Sequence, residues 1–157
     1  INYLFKLLEN FLSNKLDLLK KNGIKLKIIG KKNFSLRLNS ILRESENKTS
    51  KNSKIQVNLA LNYGSKSEIL HAIKSINKKK ISVNEQNISK NLYTKGMPDP
   101  DILIRTGNTT RLSNFLLWQL SYSEIFFIKK LWPDFTSKDF LRIINKFYNV
   151  QRNFGSV

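Results

Sequence analysis

"DILIRTGNTTRLSNFLLWQLSYSEIFFI", residues 101–128, decides the fold. Two short continuous apolar runs, Ile102 to Ile104 and "EIFFI" at 124–128, read as strands. Pro98 and Pro100 punctuate the start of the first. Between the runs lies a polar, glycine-containing loop, after which Ser113 can cap a helix beginning at Asn114. Strand, polar loop, helix, strand is the unit from which parallel sheets are built.

The flanking sequence repeats that alternation. Residues 2–22 carry Leu4, Leu8, Phe11, Leu12, Leu16 and Leu19 near helical spacing, and Gly23 stands where a helix ends. "GIKLKIIG" alternates Ile24, Leu26 and Ile28 as a strand does, and a helix is expected from about 34 to 46 with Phe34, Leu38, Ile41 and Leu42 on one side. After the polar linker "NKTSKNSK", "IQVNLALNYG" alternates Ile55, Val57, Leu59 and Leu61. Ser65 with Glu68 forms a capping-box pattern opening a helix that carries Ile69, Ile73 and Ile76. A polar stretch, 74–89, reads as a loop into a short helix. Thr136 with Asp139 repeats the capping pattern before Phe140, Ile143, Ile144 and Phe147 at helical spacing. The expectation is one α/β domain over 1–157, a central, mostly parallel β-sheet surrounded by helices.

With 157 residues the chain can bury a sizeable core. Having no cysteine, it has no disulfide framework, zinc-thiolate site or thiol nucleophile. No apolar run approaches the ~20 residues that span a bilayer. The expected setting is cytoplasmic, with peripheral contact at the inner face of the membrane as a further expectation. Twenty-eight Lys and Arg against 11 Asp and Glu give a net +17, which suits polyanions or anionic membrane surfaces. Much of that charge is lysine scattered among Asn and Ile, as compositional drift would leave it. The chain opens at Ile1 inside a helical pattern, with no initiating Met and no signal-peptide pattern, and so reads as a fragment lacking an N-terminal portion.

In open parallel sheets, ligands bind beyond the carboxyl ends of strands. Two strands here run into such loops, "NYGSKSE" and "RTGNTTRLSN", each expected to lead into a helix whose first amides favour anions. In the second loop Arg105, Arg111 and Ser113 can converge, two planar forks of donors and a hydroxyl. Each alone reads equally as a solvated or capping residue; together they suit phosphate. Beside a diphosphate, Glu124 could help hold Mg2+, which takes one or two carboxylates along with phosphate oxygens and water. His71 is the only histidine and falls mid-helix, which excludes His-rich metal sites, and no phosphate-binding glycine motif of the nucleotide-binding folds is present.

"PDILIRTGNTTRLSNFLLWQLSYSEIFFIKKLWPDF", residues 100–135, closely resembles the signature region of the cis-prenyltransferases of the undecaprenyl diphosphate synthase type. Weaker matches, "LKIIG", "VNLALNYGSKSEIL" and the terminal "QRNFG", extend the resemblance over nearly the whole chain. It implies a parallel sheet ringed by helices, a hydrophobic tunnel for the growing chain, and a homodimer. Candidate tunnel walls are the opening helix, with Leu4, Leu8, Phe11 and Leu12, and the strand from Ile55 to Leu61, although ordinary core packing accounts equally well for each side chain. The implied reaction condenses isopentenyl diphosphate repeatedly onto an allylic diphosphate such as farnesyl diphosphate, forming cis double bonds and releasing pyrophosphate. The product would be a long polyprenyl diphosphate, expected to be undecaprenyl diphosphate, a cell-envelope lipid carrier. Arg105, Arg111 and Ser113 would bind the isopentenyl diphosphate head, and Glu124 would help hold Mg2+.

Three departures qualify the match. The family's D-G-N-G-R-W-type loop, whose aspartate serves Mg2+ and the allylic diphosphate, is absent, as is its S-x-E-N-W segment, so no catalytic residue is assigned and this polypeptide alone is expected to be inactive. Where the family commonly has N-Y-G-G-R, this chain has Ser65 and Lys66, and lysine lacks the bidentate fork. The family's terminal R-x-G, which reaches the partner subunit's substrate, reads Asn153, Phe154 and Gly155, leaving Arg152 and Gly155 as candidate cross-subunit contacts. Two alternatives stay open: a non-catalytic partner subunit of the same fold, against which the retained Arg105, Arg111, Ser113 and Glu124 argue, and a basic nucleic-acid-binding domain. No nucleic-acid motif accompanies the charge, and no nucleic-acid partner is expected.

Overall fold

The computed structural model describes residues 2–152. The chain forms two compact units, Ile1–Tyr63 and Gly64–Val157, each holding one pair of parallel strands.

In the first unit helix α1, Asn2–Lys21, precedes strand β1, Ile24–Ile29, helix α2, Leu36–Thr49, and strand β2, Ile55–Ala60. β1 and β2 pair in parallel from Ile24 with Ile55 to Ile29 with Ala60. The spacing of apolar residues foretells the core: Leu12 from α1, Leu26 and Ile28 from β1, and Leu38 and Leu42 from α2. Polar groups of α2 accept from the β1 amides, Thr49 Oγ1 from Leu26 N at 3.0 Å and Glu46 Oε1 from Ile28 N at 2.9 Å. The helix thereby closes a strand edge that would otherwise invite pairing with another chain. Of the candidate tunnel walls, Leu12 is a core residue and Leu8 packs against that core, whereas Leu4 and Phe11 are exposed, as are Ile55 and Val57. Gly30, just past β1, has φ +113°. A Cβ there would lie 2.1 Å from the Leu61 carbonyl oxygen, so only glycine lets the two segments approach.

In the second unit helix α3, Ser65–Lys78, and the short α4, Glu85–Ser89, precede strand β3, Ile102–Arg105, strand β4, Glu124–Phe127, and helix α5, Ser137–Tyr148. β3 and β4 run parallel, Ile102 beside Glu124 and Arg105 beside Phe127. Ala72 and Ile76 of α3 pack on Ile88 and Leu92, with Ile69 and Trp118 against them. The Thr136–Asp139 capping box is present in full.

Two local expectations are overturned here. The Ser65–Glu68 capping box does not form: Gly64 is the N-cap, and Ser65 and Glu68 both turn inward, fully buried. Nor does a helix begin at Asn114. Residues 113–122 form successive turns, because Ser113, Asn114 and Leu116 take φ of 50°, 61° and 46°, left-handed values that a right-handed helix cannot accept.

Candidate active site

Arg105 is the last residue of β3, and the chain turns away from the sheet through Gly107 at φ +93° and Asn108 at φ 55°. That turn is pinned to the exit of β4: Ile128 N donates to Arg105 O at 2.7 Å, Asn108 N to Ile128 O at 3.2 Å and Gly107 N to Lys130 O at 2.8 Å. Arg105 Nε donates to Thr109 Oγ1 at 2.7 Å, which orients the guanidinium and leaves its two terminal nitrogens for another acceptor. Beside it lies a cavity of about 280 Å³ lined by Leu103, Ile104, Arg105, Thr106, Leu112 and Phe115. A cationic fork thus shares the lining of a recess with Leu103, Ile104, Leu112 and Phe115, a mixed polar and apolar surface suited to a ligand with an anionic head and a hydrocarbon body. A larger cavity, about 470 Å³, lies in the first unit among Phe5, Glu9, Phe34 and Arg37. Its arginine already faces Glu9 at 3.5 Å, so the smaller recess has the better-placed anion chemistry.

Arg111 and Ser113 follow on the same loop, both exposed. The segment just after them is held by α3. Ser65 N donates to Asn114 O at 2.8 Å and Lys66 N to Asn114 Oδ1 at 2.9 Å, while Leu117 N donates to Ser65 Oγ at 3.0 Å. Farther on, Trp118 Nε1 donates to Ser89 Oγ at 3.0 Å. Gln119 Nε2 donates to Glu68 Oε2 at 3.1 Å and to Thr94 Oγ1 at 2.9 Å, and Tyr93 N donates to Glu68 Oε1 at 2.7 Å. Gln119 and Leu120 are buried, so this part of the apolar run packs and fixes the loop. The expectation that amides opening α3 would meet an anion is corrected: Ser65 N and Lys66 N are already taken by Asn114. Sequence reading missed Asn114, Glu68 and Gln119. The only available signal was that Asn tolerates left-handed backbone and caps helices well, which does not reveal a helix 48 residues away.

Glu124 is half-buried at the first position of β4, beside Ile102. Arg105 lies three steps farther along the pair, about 10 Å at ~3.3 Å per residue. An odd step also places the two side chains on opposite faces of the strands. The structure therefore joins Arg105 to the loop of Arg111 and Ser113 but does not bring Glu124 to Arg105. Among the described residues no three His, Asp or Glu side chains form a metal-holding group.

Arg152 folds back onto its own unit, with Nη1 on Asp101 Oδ1 at 2.7 Å, Nη2 on the Tyr122 carbonyl oxygen at 3.1 Å and its guanidinium 5.2 Å from the Phe147 ring centre. Gly155 and Asn153 lie outside the described residues. The Lys66 side chain is exposed, and His71 stacks on Tyr93 at 5.3 Å between ring centres. Burial, and then the Glu68 carboxylate, push the Tyr93 phenol up, and burial pushes up the Asp99 carboxyl that precedes β3. No helix among the described residues is long and apolar enough to cross a membrane.

With this geometry in view, comparison with known proteins gives one consistent answer. A family model described as putative undecaprenyl diphosphate synthase matches residues 1–155. The isoprenyl transferase of Rickettsia typhi is 44% identical over 160 residues, covering 99% of this chain and 70% of that protein. That of Thermotoga maritima is 39% identical over 163 residues, covering 100% of this chain and 70% of that protein. A crystal structure of a probable undecaprenyl diphosphate synthase from Campylobacter jejuni matches with TM-score 0.91 at 39% identity, over 99% of this chain and 74% of that one. Lavandulyl diphosphate synthase from Lavandula x intermedia, in complex with dimethylallyl diphosphate, matches with TM-score 0.90 at 30% identity, over 99% and 71%.

Proposed function

Because the chain belongs to the undecaprenyl diphosphate synthase family of prenyltransferases, we propose that its Arg105–Ser113 loop binds the diphosphate of isopentenyl diphosphate for cis-prenyl chain elongation. The observation that carries this reading is the Arg105 fork sharing one recess with Leu103, Ile104, Leu112 and Phe115. Arg105 and Arg111 supply donor forks, Ser113 a hydroxyl, and the recess accepts the five-carbon body.

In the condensation, a carbon–carbon bond forms between isopentenyl diphosphate and the allylic carbon. The allylic carbon–oxygen bond breaks, pyrophosphate departs, and a proton leaves the isopentenyl unit to give the new cis double bond. Fixed cations near the reacting diphosphates favour this step because negative charge grows on the leaving group. The allylic partner belongs to the same proposal; the lavender relative binds dimethylallyl diphosphate. The proposed product is a long polyprenyl diphosphate of the undecaprenyl type, housed in an apolar tunnel and delivered to the inner face of the membrane.

Mg2+, when bound, would supply further charge neutralisation at the diphosphates. Glu124 fits it as a single half-buried carboxylate, since this ion takes one or two carboxylates and completes its shell with phosphate and water. Glu124 lies on the opposite face of the β3–β4 pair from Arg105, and a homodimer belongs to the same proposal. The D-G-N-G-R-W-type loop is absent from these 157 residues, and this chain alone is proposed to bind but not to turn over.

The test is calorimetric titration of isopentenyl diphosphate into this chain, beside radiolabelled isopentenyl diphosphate incorporation by the full-length reading frame with farnesyl diphosphate and Mg2+. Arg105→Ala or Arg111→Ala removes a charge-assisted hydrogen bond of ~1.5–3 kcal/mol, expected to weaken binding about 10- to 150-fold. Glu124→Ala should lower incorporation and its Mg2+ dependence. Unchanged affinity in both arginine variants would overturn the assignment.

A further inference from the structure

Helix α3 begins with two amides that neither the helix nor its N-cap satisfies. Its N-cap, Gly64, makes no side-chain cap bond, and the first amides of any helix lack intrahelical acceptors. Both are met by one residue from the proposed anion-binding loop. Asn114 accepts from Ser65 N through its main-chain oxygen at 2.8 Å and from Lys66 N through Oδ1 at 2.9 Å. The fit is close, because a Cβ added to Gly64 would lie 2.8 Å from Asn114 Nδ2. The contact is reciprocal, since Ser65 Oγ accepts from Leu117 N at 3.0 Å and Ser65 is fully buried. Asn114 reaches this position by holding φ 61°, directly after Ser113 at φ 50°.

From this geometry we infer that Asn114 is a positioning residue for the anion-binding segment, acting as the N-cap of α3 from a distance and fixing where Ser113 and Arg111 stand. The inference rests on the reading of Arg111 and Ser113 as diphosphate ligands. Asn is one of the few residue types other than glycine that both tolerates left-handed backbone and carries a capping oxygen. The role therefore has two separable parts, backbone conformation and acceptor, and substitution can divide them. Asn114→Gly keeps the conformation and removes the oxygen; Asn114→Asp keeps both.

Pyrophosphate is titrated into this chain by calorimetry, and exchange of the Ser65 and Lys66 amides is followed by NMR. In Asn114→Gly the Lys66 amide should exchange faster and pyrophosphate affinity fall about three- to tenfold, the equivalent of one lost hydrogen bond. Asn114→Asp should restore both to within about twofold, a rescue that a merely structural role would not link to affinity. In the full-length enzyme the same loss should appear in KM for isopentenyl diphosphate, with KM for the allylic substrate unchanged. Faster Lys66 exchange with unaltered pyrophosphate affinity would overturn the inference, as would equal loss in the Asp and Gly variants. Should Asn114→Gly not fold, Ser65→Ala, which removes the return bond to Leu117, decides by the same comparison. Arg105→Ala and Arg111→Ala run alongside separate the two levels: if both leave affinity unchanged, the diphosphate reading fails, and if they weaken binding while Asn114→Gly does not, only the positioning role fails.

Discussion

Replacing Glu68 by alanine tests whether its buried carboxylate organises the second unit. The side chain is fully buried and accepts from Tyr93 N and Gln119 Nε2. Glu68→Ala removes the Glu68 acceptor of the part-buried Tyr93 amide, a loss of ~1–3 kcal/mol. Gln119 Nε2 keeps Thr94 Oγ1 at 2.9 Å, so its share is smaller, on the order of 0.5–1 kcal/mol. The missing methylene contributes about 1 kcal/mol more. The sum, about 2.5–5 kcal/mol, is a large part of the ~5–15 kcal/mol that holds a typical domain folded. At roughly 2–4 °C per kcal/mol for a chain of this size, the melting temperature should fall by about 5–20 °C. Glu68→Gln should cost only about 1 kcal/mol. It retains an oxygen for Tyr93 N and offers an amide toward Gln119, whose buried Oε1 makes no hydrogen bond and can turn to accept it. Thermal unfolding followed by circular dichroism, with a Glu68→Ala, Gln119→Ala double-mutant cycle, measures these quantities. A drop under about 3 °C for Glu68→Ala, or equal losses for the Ala and Gln variants, would refute the reasoning.

Gly30→Ala should destabilise by at least ~2 kcal/mol in the same assay, since it forces a left-handed alanine into the Leu61 carbonyl. Arg105→Lys should weaken isopentenyl diphosphate binding nearly as much as Arg105→Ala, because lysine keeps the charge but loses the fork and the Nε bond to Thr109. Asp139 is held well below the usual carboxylate range, first by its hydrogen bond from Lys130, at 2.8 Å, and then by the side chain and backbone of Thr136. The folded state is then less protonated there than the unfolded one, so this stabilisation is complete above the ordinary aspartate value of ~3.9 and fades as pH falls below it. Asp139→Asn should lower the melting temperature at pH 6, with the gap to wild type narrowing at pH 3; a constant gap would contradict this origin.

The sequence reading succeeded where a structure is written in local spacing. Leu12, Leu38 and Leu42 lie on their helices at the period of a buried face, and Leu26 and Ile28 alternate along β1. Thr136 and Asp139 cap α5 three residues apart, entirely within one segment. Ser65 and Glu68 present the same spacing and do otherwise, because Leu117, Tyr93 and Gln119 compete for their oxygens. No window around α3 contains those competitors. "NFLLWQL" likewise looks helical by composition, yet its bonds to Ser65, Ser89 and Glu68 hold it as turns. The arginines were legible as candidate anion ligands from residue type and from their place after a strand. The relation of Glu124 to Arg105 was not, since the face of a strand residue depends on register with its neighbour, which only the paired structure supplies.

The distant cap on α3 also sets a clock. At roughly 5–20 residues per second, a ribosome needs about 2.5–10 s to proceed from Lys66 to Asn114, 48 residues on. During that interval the first amides of α3 have solvent water in place of Asn114. The helix start and the loop that holds Asn114 reach the bonded form described above only once Asn114 has been made. A nascent chain halted short of that residue would carry neither.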